Sequence, residues 1–152
     1  MAGFRKPSAT LTSVTATVRW VPGAVLVLYV VFLAAVLTEY NPTVATDVGS
    51  SFARWLAAHG APATITEPAR VEFGLNAAMF VPMTLLVALT FPRHPWANWV
   101  VYAFVLSGAV ELYQGLYLPP RSAQFVDVVS NTLGGLVGAV LAIPVNYVSN
   151  RR

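Results

Sequence analysis

Several side chains with acid–base or ligand chemistry stand in runs that otherwise read as lipid-embedded helix. Glu111 lies within ANWVVYAFVLSGAVELYQGLY (97–117), and Asp127 and Asn131 head the run at 125–148. An ionisable group inside a membrane helix costs about 2.5–3.5 kcal/mol on insertion scales, so it marks a functional or partnered position. The spacing is helical. Ser107, Glu111 and Gln114 fall at i, i+4 and i+7, and Asp127 and Asn131 at i and i+4, with Gly134 and Gly138 extending that face. Glu72 and Asn76 head a third such run, and Arg121 lies in the short link between 117 and 125.

The chemistry of these groups is complementary. Arg121 offers a planar fork suited to phosphate or carboxylate. Asp127, at a helix start, is an anion that exposed backbone N–H groups stabilise. Glu111, Asp127 and Glu72 have the character of a general base, or of oxygen ligands for Mg²⁺ or a similar hard cation. Asn76, Gln114 and Asn131 are suited to position a substrate or to hold the carboxylates. Glu111 and Asp127 are therefore the candidate catalytic residues, and Arg121, Asn76, Gln114, Asn131 and Glu72 the candidate binding residues. The cofactor is open, with a divalent cation such as Mg²⁺ the chemistry to look for. The alternative is structural. Asn, Gln, Ser and Gly are common glue between membrane helices, and Glu111 paired with Arg121, or Asp127 with Arg70 or Arg121, would tie helices at a rim.

Composition defines what positions these groups. The chain has 152 residues, 57% hydrophobic and only 10% charged, against about 25% charged in soluble domains. It reads as an all-α integral membrane protein. No cysteine is present, and His59 and His94 are too few and too scattered for a histidine metal site. Net charge is +3, which in a membrane protein speaks to topology first. No basic cluster with interleaved aromatics points to nucleic acid.

Four apolar runs predict a bundle of four transmembrane helices at about 20–38, 72–91, 97–117 and 125–148. Residues 1–19 read as a disordered tail ahead of a transmembrane domain at 20–150. The first run is longer than the roughly 7–15 apolar residues of a signal peptide, so it is expected to stay as a helix. In the first link, 47–60 carries Val48, Phe52, Trp55 and Leu56 at helical spacing, with Asp47 as an expected N-cap and Gly60 as a stop. It fits a short amphipathic helix, either on the membrane surface or packed on the ends of the bundle.

Four spans put both termini on one side. With the termini cytoplasmic, the inner segments hold Arg5, Lys6, Arg19, Arg93, Arg151 and Arg152, and the outer links hold Arg54, Arg70 and Arg121. The positive-inside rule favours that orientation. It places Glu72, Asn76, Glu111, Gln114, Arg121, Asp127 and Asn131 at one extracytoplasmic level, with Glu111 and Asn131 roughly 9 Å below the helix ends. Head-group depth suits an amphiphilic ligand.

The same residues carry a resemblance. Asn76 followed by Phe80-Val81-Pro82, then Ser107-x3-Glu111-x2-Gln114, then Arg121, then Asp127-x3-Asn131-x2-Gly134-x3-Gly138 resembles the signature of the VanZ-like family of bacterial membrane proteins. The pattern covers residues 72–138. Thr84 departs from it, standing where the family often has Gly, which tells against a close approach of this helix to its neighbour. The resemblance implies a compact multi-helix protein of the bacterial cell envelope. It also brings an association with low-level glycopeptide resistance, which does not define a reaction.

Two functions follow. One is an envelope protein acting on or binding an anionic lipid-linked substrate, a polyprenyl phosphate or phospholipid, with phosphoester processing as its enzymatic form. The other is a non-catalytic accessory or lipid-binding module in the plasma membrane, with a protein partner or a second copy docked on its polar face. A transporter is disfavoured because Val100–Leu106 and Val140–Ile143 are apolar and no polar path crosses the bundle.

Overall fold

A computed structural model describes residues 9–38, 42–118 and 124–150. It contains five helices: α1 (Ala9–Leu37), α2 (Pro42–Ala58), α3 (Pro68–Thr90), α4 (Trp96–Tyr117) and α5 (Phe125–Asn150). Among the described residues there is no strand. Four of the helices, at Trp20–Leu37, Pro68–Thr90, Trp96–Tyr117 and Phe125–Val148, are long and apolar enough to cross a membrane. The protein is a multi-pass membrane protein, as the four apolar runs require.

The helix starts differ from the sequence reading in two places. α1 begins at Ala9, so 9–19 of the expected tail is helical, and Pro22 lies inside the helix and not in its first turn. α3 begins at Pro68, four residues early, because Pro at the first helical position has no N–H to leave unsatisfied.

α2 is a helix of 17 residues that starts at Pro42, so Asp47 is inside it and does not cap it. Gly60 does end it, at φ 86. Gly60 N–H donates to Ala57 O at 3.1 Å and Ala61 N–H to Leu56 O at 3.0 Å, the paired closing bonds of a Schellman motif. α2 touches α3 and leaves Val48, Phe52 and Trp55 exposed. The bundle therefore does not take up the apolar face of this helix.

α5 is the centre of the bundle. Of its spanning segment 44% is buried, against 6% for that of α1. It lies in the groove between α3 and α4, and α1 leans on α3. In a bilayer, lipid tails solvate apolar side chains as well as protein does, so close packing and hydrogen bonds hold such helices together. The glycines of α5 supply the close packing. A Cβ on Gly134 would lie 2.0 Å from Ala77 O, and one on Gly138 would lie 2.3 Å from Val81 O. Gly135 faces α4, where an added Cβ would meet Ala103 Cβ at 2.5 Å. The contacts of Gly134 and Gly138 make α3 and α5 parallel, with α4 antiparallel to both. Thr84 does not prevent this approach. It is 1% exposed and packs against Gly135 and Gly138, so glycines on α5 provide the clearance expected from α3.

Candidate functional site

Asn76, Ser107, Glu111, Gln114, Asp127 and Asn131 meet at one end of the bundle, and they do so by bridging helices or helix ends. Asn76 on α3 donates to Asp127 Oδ1 on α5 at 2.8 Å. One turn deeper, Asn131 on α5 donates to Ser107 Oγ on α4 at 2.8 Å. Ser107 and Asn131 are 0% and 3% exposed, so this pair is removed from lipid and water. The single face expected for Asp127, Asn131 and the glycines is in fact divided. Asp127, Gly134 and Gly138 look to α3, whereas Asn131 and Gly135 look to α4.

Glu111 and Gln114 do related work on helix ends. The first N–H groups and last C=O groups of any helix lack partners inside it. Gln124 directly precedes α5, and its N–H donates to Glu111 Oε2 at 2.7 Å. A carboxylate there bonds a free donor and also faces the positive end of the α5 dipole. Leu37 is the last residue of α1, and its C=O accepts from Gln114 Nε2 at 2.8 Å. One turn of α4 thus holds the start of α5 and the end of α1, with the anion at the N-terminus and the amide donor at the C-terminus. Both side chains are buried, Glu111 at 7% and Gln114 at 6% exposure.

Glu72 lies one turn above Asn76 but is exposed, and it is not drawn into these bridges. Arg70 pairs with Glu67 at 3.2 Å at an exposed position, not with Asp127. Arg121 lies outside the described residues. Among the described residues no group of three or more His, Cys, Asp and Glu could hold a metal ion. Asn131 Oδ1 and Thr84 Oγ1 are buried with no hydrogen-bond partner among the described residues, and each can accept one further bond.

Sequence reasoning missed two bridges at other levels. Asn146 Nδ2 donates to Ala88 O at 3.0 Å. The helical donor to that carbonyl would be residue 92, which is proline and has no N–H. Pro92 four residues after Ala88 was the available signal. Tyr29 OH donates to Met79 O at 2.8 Å and ties α1 to α3. His94 sits against the Trp99 and Tyr102 rings, with centroids at 4.6 and 5.7 Å.

An apolar cleft of about 330 Å³ lies between α1, α3 and α4. Leu33, Leu37, Phe80, Met83, Leu106 and Tyr113 are among its walls. It exists because α1 packs on α3 and stands away from α4.

These features define a four-span membrane protein whose polar groups gather at one end, where they join helix termini. A family model described as VanZ/LLP1 matches residues 23–146, most of the chain. The chain belongs to the VanZ/LLP1 family. No curated protein and no solved structure matches it.

Proposed function

We propose that the protein is a bacterial cell-envelope membrane protein whose polar end binds an anionic lipid-linked ligand, a polyprenyl phosphate or phospholipid, as a non-catalytic module. The observation that carries this reading is the bond from Gln124 N–H to Glu111. It uses the best-placed acid–base group to hold the link that contains Arg121, three residues before Gln124 in the chain. A buried carboxylate that secures a helix start is poorly placed to take a proton from a substrate. Asp127 is likewise engaged by Asn76. Recognition then falls to Arg121, whose guanidinium suits phosphate and which lies close in sequence to the N-terminus of α5.

The cation distribution supports a polar end facing away from the cytoplasm, with both termini on the cytoplasmic side of the plasma membrane. In whole cells, Ser50→Cys is then open to a membrane-impermeant thiol reagent and Arg151→Cys is not; reversed labelling overturns the orientation. Native mass spectrometry tests the ligand. The purified protein should retain anionic lipid in preference to neutral lipid, and Arg121→Ala should lose that preference. Glu111→Gln should lower stability while the folded fraction still binds. Equal retention of neutral lipid, or retention unaffected by Arg121→Ala, removes the anion site. Loss of a measurable phosphoester turnover in a folded, lipid-retaining Glu111→Gln protein would reinstate catalysis.

A further inference from the structure

We propose that the cleft between α1, α3 and α4 is the tail site of that same ligand and takes one hydrocarbon chain, so that the ligand is a one-chain lipid phosphate. The inference rests on the proposed anion site and adds what the rest of the ligand must be.

The first argument is chemical. The cleft is walled by Val30, Leu33, Leu37, Phe80, Leu106 and Tyr113, with Ala34, Ala109 and Val110 between them. The hydroxyl of Thr38, just past the end of α1, donates back to Ala34 O at 2.6 Å, which leaves Tyr113 as the other hydroxyl among the walls. A polar or peptide occupant would find little to bond. The second argument is size. About 330 Å³ is at the lower end of the roughly 300–1,000 Å³ of small-molecule sites. An α-helix is about 10–12 Å across with its side chains and does not enter a cleft of that volume. The stretch of α4 from Leu106 to Tyr113 gives it a length of about 10 Å. One chain fits, and the part nearest the head group is the part held. The second chain of a diacyl lipid would have no cleft of its own here.

The third argument is continuity. α4 presents two neighbouring stripes. Ser107 and Glu111 bond to α5 and its N-terminal flank, whereas Leu106, Val110 and Tyr113 face the cleft. The stripes converge at Gln114, whose side chain crosses to Leu37 O on the cleft wall. A head group at the polar end and a chain in the cleft are therefore joined around one turn of α4. Among the described residues the Gln114–Leu37 bond is the one hydrogen bond between α1 and α4, and it lies where the cleft meets the polar end.

The test is photolabelling of the full chain in nanodiscs of neutral phosphatidylcholine. The probe is a monoalkyl phosphate with a diazirine in its chain. Labels should map to residues 30–38 and 106–113. Ala34→Phe and Ala109→Phe fill the cleft from opposite walls at exposed positions and should lower labelling by about tenfold. Val105→Phe, on an exposed part of α4 outside the cleft, should not. Excess monoalkyl phosphate should displace the probe more effectively than diacyl phosphatidic acid. Labels spread evenly over the lipid-facing helices of the unmodified protein overturn the cleft, whatever the variants do. Equal or better displacement by phosphatidic acid overturns the one-chain assignment. If a diazirine alkyl alcohol labels the cleft as well as the phosphate does, the chain site stands and the phosphate reading fails. If lipid phosphate is retained without cleft labelling, the reverse holds.

Discussion

Two helix contacts in this protein have opposite character. Along α3 and α5, Gly134 and Gly138 bring backbone against backbone until a single added carbon would overlap Ala77 O or Val81 O. Between α1 and α4, the helices stand apart around about 330 Å³ of apolar space, because α1 packs on α3. Both contacts lie in the same bilayer, so hydrophobicity does not distinguish them. Glycine at the facing positions does, since it lines the first contact and is absent from the walls of the second. Small residues permit the close van der Waals contact that drives association in lipid, and branched residues on a weakly amphipathic helix do not. The tight contact fixes the core, and the loose one leaves room for a lipid chain at a place joined to the polar end.

The largest effect expected from disturbing this contrast is on the tight side. Gly134→Ala and Gly138→Ala press a methyl group on backbone carbonyls that cannot rotate away, so α5 must move bodily. Overpacking costs typically about 1–3 kcal/mol, and here the loss should reach the upper end of that range in denaturant unfolding of the detergent-solubilised protein. A loss under about 1 kcal/mol would show that α5 is not seated as described.

A smaller effect is expected on the loose side. Gln114→Leu removes the bond to Leu37 O and leaves that carbonyl without its cap. The global loss should be about 0.5–1.5 kcal/mol. Hydrogen exchange should localise the change to the last turn of α1. An equal rise in exchange along α3 and α5 would mean that Gln114 supports the whole bundle, and the contrast between the contacts would weaken.

The smallest effect is a control at glycines outside both contacts. A Cβ on Gly74 or Gly108 meets nothing within 4 Å. Gly74→Ala and Gly108→Ala should be neutral or stabilising by up to about 1 kcal/mol, the difference in helix propensity. Destabilisation comparable to that of Gly134→Ala would mean that glycine content, and not position, sets the effect.

How much of this was legible in the chain follows from the range of each interaction. Hydropathy and length are local, so four spans could be read directly, and Gly60 as a helix stop was readable from its type. Helix boundaries depend on what neighbouring segments do, and α1 and α3 both start earlier than their apolar runs. The polar residues could be assembled at one level because α-helical rise converts sequence position into depth. Their roles could not. Periodicity places Glu111 and Gln114 on one stripe, yet one bonds the flank of α5 and the other the end of α1.

Sequence alone therefore determined that this is a membrane bundle, which helices are long and apolar enough to cross it and which family it belongs to, because each rests on composition, spacing or motif order along the chain. Tertiary structure alone decided which helix each polar group serves, that Thr84 is accommodated by glycines on another helix, and that α1 stands off α4 to leave a cleft. Those outcomes depend on the rotation and separation of whole helices, which are set by the summed fit of side chains from segments far apart in the chain.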